Sequence, residues 1–419
     1  MTDARVRATR AAGRDADVAT QRPLATLDDG RQIHGFVDHG FGGMVDAFVA
    51  NFVDRQDVGA ACCVIVDGQT VVDLWGGVAD ARTGRAWSQD TAAVIFSCTK
   101  GVLALLAYRL VEAGRLDLDA PIARYWPEFA EAGKAAITVR EAMSHRAGLA
   151  ALDADLTAAD IGAWTPVIRA IERQRPAHEP AAGHAYHPMT YGWILGEVIR
   201  RVTGATPGAW LRATVTDPLG LHLWIGAPEA ARASVAWMEP PLPDEDSDAA
   251  REAARIAAAD PAIDRGATMG GAYAFPSEGG YVTFNDPALQ AAEIPGANGI
   301  ATASSLARLY GGCVSDRPGP RLLSPGSVDD ALRVRSSGRQ LNGLPDDGAR
   351  WGTGFQLASP PTQPMLGPTS FGHAGAGGQL AFADAEARVG FAWLGNQMGG
   401  FGDARARSLT VALRRILAR

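Results

Sequence analysis

Ser97 and Lys100, in Phe96-Ser97-Cys98-Thr99-Lys100-Gly101, stand at the head of a mainly apolar run, Val102 to Val111. The run predicts a buried helix with the serine at its first turn and the lysine three residues on. At that spacing both side chains share one face and can touch. A serine hydroxyl is a weak nucleophile until a neighbouring base takes its proton. A lysine can be that base only when neutral, and burial can depress its pKa far enough to make it so.

A serine here could simply cap the helix. The capping box, however, wants Glu or Gln three residues later. This chain has a cation there, in the turn where the helix dipole disfavours positive charge. Lysine is also rare in the chain: Lys100 and Lys134 are its only two, against 37 arginines. An arginine could not serve as the base, because it does not deprotonate. The pair therefore reads as nucleophile and base.

Other chemistries fit less well. No serine has glycine two residues before it, which excludes the Gly-x-Ser-x-Gly nucleophile elbow. Neither lysine lies in a P-loop, and there is no His-Glu-x-x-His. His184 and His187 have a spacing that could pair them on a metal in a helix, but Gly183 and Pro188 flank them and no carboxylate cluster accompanies them. No metal or cofactor is expected. His145, in Met143-Ser144-His145-Arg146, reads as a structural histidine. Tyr186, in Tyr186-His187-Pro188, could shuttle protons from a loop, or could be a packing tyrosine. Phe371-Gly372-His373-Ala374-Gly375-Ala376-Gly377-Gly378 is glycine-dense and runs into a strand. Its backbone could approach a ligand closely and offer N–H groups to an oxyanion, or could be a tight turn.

The totals bound the partners. The chain has 419 residues, 47% of them hydrophobic, and a net charge of -7 spread thinly. That describes a globular protein without the basic patch a nucleic acid needs. No apolar run approaches the ~20 residues of a membrane span, and no apolar signal core opens the chain, so neither membrane nor secretion is expected. Cys62, Cys63, Cys98 and Cys313 show no metal spacing. They read as reduced and buried in a cytoplasmic protein, with Cys62 and Cys63 on opposite faces of a strand.

Positioning the pair takes the rest of the chain. Residues 1–30 read as a mobile tail. Phe41, Val45, Phe48, Val49 and Phe52 mark one helix face. Residues 60–66 and 71–75 flank Asp67-Gly68, a hairpin signal. The Ser97 helix should end at Gly114. From there to about 290 the chain reads as helices and loops, with a strong helix at 194–202, a proline-rich acidic loop at 240–247 and a surface helix at 248–259. A helix at 304–310, strands near 352–357, 379–383 and 389–394, and an amphipathic last helix at 405–417 follow. Strands at both ends with helices between predict one sheet built from both chain ends, 31–97 and 300–419, with a mainly helical domain, 98–299, inserted.

These pieces, in this order, resemble the serine β-lactamase and penicillin-binding-protein superfamily. More narrowly, they are similar to the family VIII carboxylesterases, which are class C β-lactamase-like. The likeness spans about residues 35–400. It rests on Ser97-x-x-Lys100, Gly114-Arg115-Leu116-Asp117-Leu118-Asp119-Ala120-Pro121-Ile122, Met143-Ser144-His145-Arg146-Ala147-Gly148-Leu149, Tyr186, Gly296-Ala297-Asn298-Gly299-Ile300 and His373-Ala374-Gly375. The resemblance implies an α+β fold, an antiparallel sheet flanked by helices plus a helical domain, with the site between them. It implies Ser97 as the acyl-accepting nucleophile, Lys100 and Tyr186 as the proton-transfer pair, and the N–H groups of Ser97 and Ala376 as the oxyanion hole. His373, Gly375 and Trp351 would line the substrate. Two positions depart from the superfamily pattern: Pro188 stands where asparagine is usual, and His373 replaces a lysine. Both favour a small-molecule ester over a β-lactam as substrate. The expected activity is a serine carboxylesterase acting on short- to medium-acyl esters. Acyltransfer, weak β-lactam or amide hydrolysis, and a non-catalytic binding role are the alternatives.

Overall fold

The computed structural model describes residues 22–241, 255, 258 and 260–418, less 274–282, 318–320, 345, 360–362, 364 and 401–402. Pairing starts at β1 (Ala25–Thr26), antiparallel to β2 (Gln32–Val37). The last residues of the expected tail are thus a strand and its turn, while residues 1–21 lie outside the described residues. The helix Gly43–Asp54 buries Phe48, Val49 and Phe52; Phe41 precedes the helix but packs, half-buried, against the same core. β3 (Gly59–Val66) and β4 (Gln69–Asp80) form the expected hairpin, turning at Asp67 and Gly68, both of positive φ. β5 (Arg85–Ala86) pairs with β4, and β6 (Ala93–Val94) leads into the Ser97 helix, Cys98–Glu112. Gly114, at φ +67°, lies just past its end.

The middle of the chain is helical, with Thr190–Thr203 the long buried helix. The loop expected from 240 and the helix expected at 248–259 fall almost wholly outside the described residues. β7 (Leu223–Trp224) and β8 (Ile300–Ala301) join β6 in a small sheet with β8 central, which ties the two ends of the helical segment together. After the helix Ala303–Val314 come β9 (Ser336–Ser337), β10 (Arg350–Trp351), β11 (Gln356–Leu357), β12 (Ser370–Ala374), β13 (Leu380–Asp384), β14 (Val389–Gly395) and the helix Arg405–Leu417. The span 352–357, expected as one strand, is instead the turn after β10, with Gly354 at φ +83°, followed by the short β11 that pairs back on β10. β2 and β12 were not anticipated as strands from side-chain pattern, since Gly35 and Gly372 break the alternation.

The large sheet runs β1-β2-β4-β3-β14-β13-β12-β11-β10-β9. β14 pairs antiparallel with β3 from Val389 opposite Val66 to Gly395 opposite Ala60, so the two chain ends close one sheet. Adjacent residues of β3 face opposite layers. Cys62 packs with Phe48, Phe52, Leu409 and Leu413 of the terminal helices. Cys63 packs with Ala307 and the helical side. All four cysteines are buried and free. A single apolar core runs from β3 through the Ser97 helix to Trp193 and Ile199. The Ser97 helix therefore belongs to the sheet and to the helical part alike, and a boundary at 97/98 divides a shared core.

Candidate active site

Phe96 holds a φ of +45°, a region costly for a bulky side chain. Its ring is fixed edge-on to Phe284 and packs among Val94, Met238, Ile300 and Met398. The next residue, Ser97, occupies the N-cap position, yet its side chain makes no capping bond. The hydroxyl is engaged elsewhere. Lys100 Nζ lies 2.9 Å from Ser97 Oγ, and the Tyr186 hydroxyl lies 3.0 Å from the same oxygen. The structure thus brings Ser97, Lys100 and Tyr186 together.

Lys100 is fully buried and, among the described residues, has no carboxylate partner. Its second contact is the Gly296 carbonyl, 2.8 Å away. Burial pushes its pKa down to about 7, so the neutral amine is well populated at physiological pH. The Gly296 carbonyl can come this near because Gly192, in the helix Thr190–Thr203, has no side chain: a Cβ there would meet the Gly296 backbone. Asn298 fixes the same loop, accepting from Ile294 N and donating to Leu289 O and Ala292 O.

Tyr186 lies on a loop without regular structure, immediately before the helix Thr190–Thr203. Burial of its phenol raises the pKa, the Ser97 contact opposing this only in part, so the hydroxyl keeps its proton. Trp351, on β10, stacks against the Tyr186 ring at 5.1 Å and 23° and lies 5.4 Å from the His373 ring.

His373 sits on β12, opposite Ala381 of β13, and its carbonyl accepts a bond from Cys98 Sγ at 3.0 Å. This ties β12 to the first turn of the Ser97 helix. The His373 ring is buried, with Nδ1 2.5 Å from the Ala374 carbonyl. A carbonyl only accepts, so Nδ1 carries the proton and Nε2 is bare; Nε2 is buried and, among the described residues, without a partner. Burial, and then the nearness of Lys100, push the pKa of His373 down to about 3, so the ring is neutral. Gly375 N–H donates to Gln379 O, and a Cβ at Gly375 would press on Ile95 O and Phe96 Cβ. The turn that opens at Ala376 is thereby packed against the approach to Ser97.

The sequence had left His145, His187, Gln340 and Gly296 without a place in the site. His145 is buried and its ring meets those of Tyr186, His187, Tyr191 and Trp351. His184 and His187 are in no helix. His187 Nε2 accepts from Leu149 N and Nδ1–H donates to Ala185 O, so both its nitrogens are engaged in structure. Among the described residues, no three or more His, Cys, Asp or Glu side chains cluster in a way that could hold a metal. Nor is any described helix long and apolar enough to cross a membrane.

The family model described as Beta-lactamase matches residues 45–415. The chain belongs to that family. The esterase/beta-lactamase LipL of Mycobacterium tuberculosis is 37% identical over 383 residues, covering 88% of this chain and 84% of that protein. A family VIII carboxylesterase of known structure is 34% identical with a TM-score of 0.79, over 92% of this chain and 99% of the other. A penicillin-binding-protein homolog from Caulobacter crescentus is 35% identical with a TM-score of 0.78, at the same coverage. The α+β fold implied by the motifs, a large antiparallel sheet with flanking helices, is the fold these structures share with this chain.

Proposed function

We propose that this family member is a serine carboxylesterase that cleaves short- to medium-acyl esters through an acyl-enzyme on Ser97. The observation that carries the reading is one oxygen, Ser97 Oγ, held between a buried carboxylate-free lysine at 2.9 Å and a protonated tyrosine at 3.0 Å. Neutral Lys100 keeps one N–H on Gly296 O and directs its lone pair at the serine. Ser97 Oγ attacks the ester carbonyl carbon as its proton passes to Lys100 Nζ. The oxyanion is received by the N–H groups of Ser97 and Ala376. Collapse breaks the bond to the alcohol oxygen, which leaves with a proton from the Lys100–Tyr186 pair. Water then attacks the acyl carbon, gives its proton to the same pair, and the acid departs as Ser97 recovers its hydrogen. His373, Gly375 and Trp351 form the wall facing the acyl group. The names of relatives, an esterase/beta-lactamase and a family VIII carboxylesterase, support hydrolysis. A neutral His373 in place of a cation favours esters within it.

The test is intact-mass analysis after exposure to a fluorophosphonate, with a panel of p-nitrophenyl esters. One adduct is expected, absent from Ser97→Ala, together with turnover of short esters. An adduct that persists in Ser97→Ala, or that maps to Cys98, would sink the assignment.

A further inference from the structure

The Tyr186 hydroxyl can serve Ser97 only if its loop is held still, and residues 184–187 have no helix or strand to hold them. One residue, His145, supplies much of what is missing. Its carbonyl accepts the N–H of Ala185 at 3.1 Å, and its Nδ1 accepts the N–H of His187 at 3.2 Å. The residues on both sides of Tyr186 are therefore fastened to it. Its ring also packs on the Tyr186 ring, 4.7 Å between centroids. The Tyr186 N–H itself donates to Gln340 Oε1 at 2.8 Å. A backbone N–H cannot accept, so Nδ1 of His145 is bare and the proton of the neutral ring is on Nε2.

The backbone of His145 makes the same point. It follows the helix Val139–Met143 with φ +62°, the left-handed position that glycine usually fills after a helix. A β-carbon there is strained, and ending the helix does not require an imidazole. Fastening the His187 N–H does.

We propose that His145 is a positioning residue that acts through Tyr186, holding the tyrosine hydroxyl on Ser97 Oγ. The proposal rests on the Ser97 esterase reading. It follows that His145 matters to the reaction only while Tyr186 has its hydroxyl.

A double-mutant cycle tests this, with kcat/KM for a short p-nitrophenyl ester measured in the full chain. His145→Ala is expected to cost about 10²-fold, the scale of an ångström-size misplacement. In a Tyr186→Phe background the same change is expected to cost less than about 3-fold, because the two losses are one loss. His145→Asn is expected to recover at least about 10-fold of the His145→Ala loss. Its Oδ1 can take the place of Nδ1, and asparagine tolerates the left-handed backbone. His145→Gln puts its amide nearer the Nε2 position and is expected to recover less. Where His145→Ala does not fold, the Asn and Gln variants carry the comparison in both backgrounds. Additive losses, or an Asn variant no better than Gln or Ala, overturn the positioning role. A parent protein that neither cleaves an ester nor takes the fluorophosphonate overturns the esterase reading beneath it. An active, labelled parent with additive losses overturns the role of His145 alone.

Discussion

Lys100 Nζ donates to the Gly296 carbonyl at 2.8 Å while standing 2.9 Å from Ser97 Oγ. The carbonyl is a neutral acceptor, not a counter-ion, so it orients the amine without stabilising its charge as a carboxylate would. Burial is left to set the pKa, at about 7. A carboxylate at the position of Gly296 would hold the ammonium and remove the base.

Lys100→Arg separates proton transfer from simple charge. It keeps a cation beside Ser97 and abolishes the base, since guanidinium stays protonated. The expected loss in kcat/KM is at least about 10²-fold, within the range for a placed general base. Circular dichroism checks the fold. An Arg variant with near-parent activity would leave Tyr186 as the base.

The pH profile follows from the same group. In the proposed mechanism the reaction needs neutral Lys100, so kcat/KM is expected to rise through pH about 7 and level off above it. The neighbouring histidines do not compete for that limb: His373 is pushed down to about 3 and His187 to about 4, both by burial. His145 is also driven well below its ordinary value, chiefly by burial. A limb that stays in place in Lys100→Arg would assign it to some other group.

Esters are expected to be cleaved faster than β-lactams. Where the superfamily pattern has a lysine, this chain has His373 with Nδ1–H turned to Ala374 O and a bare Nε2. It offers no donor to a β-lactam carboxylate. A charge-assisted contact is worth ~1.5–3 kcal/mol, or roughly one to two decades in rate if made in the transition state. Matched kcat/KM values for a chromogenic cephalosporin and a short p-nitrophenyl ester, measured side by side, test it; equal efficiency would contradict the role given to His373.

The contact between Ser97 and Lys100 was legible because helical spacing alone puts residues 97 and 100 together. The hairpin, the last helix and the opposite-facing Cys62 and Cys63 were legible for the same reason: each is fixed by local periodicity. What joins Ser97 to Tyr186, 89 residues on, or His145 to His187, 42 residues on, is tertiary, and no local pattern announces it. Tyr186 was found through resemblance. His145, read as a structural histidine although it lies within one of the motifs that carry the resemblance, was not placed in the site. Side-chain pattern did not show β12 as a strand, because Gly372 carries no side chain to mark the alternation between Phe371 and His373, which, two residues apart, face the same way.

The last prediction concerns the stability that the base costs. The folded pKa of Lys100 is lowered to about 7, whereas the unfolded chain's is about 10.4. Below pH 7 both states hold the proton, and the folded state carries a buried charge at full penalty. Between about 7 and 10.4 the folded state has released its proton and the unfolded state has not. The unfolded state then binds more protons, so stability rises with pH across that window. Above it both are neutral and the penalty is gone. Lys100→Met removes the titration, keeps an apolar chain of similar length and leaves Gly296 O without its donor at every pH. The unmet carbonyl is thus a constant offset, and the pH-dependent part belongs to Lys100. The Tm of the parent, relative to Lys100→Met, is expected to climb between pH 6 and pH 10 by the equivalent of a few kcal/mol. Thermal melts of both proteins across that range measure it. A difference that stays flat with pH would mean that Lys100 is not depressed in the folded state, and would remove the physical basis for its acting as the base.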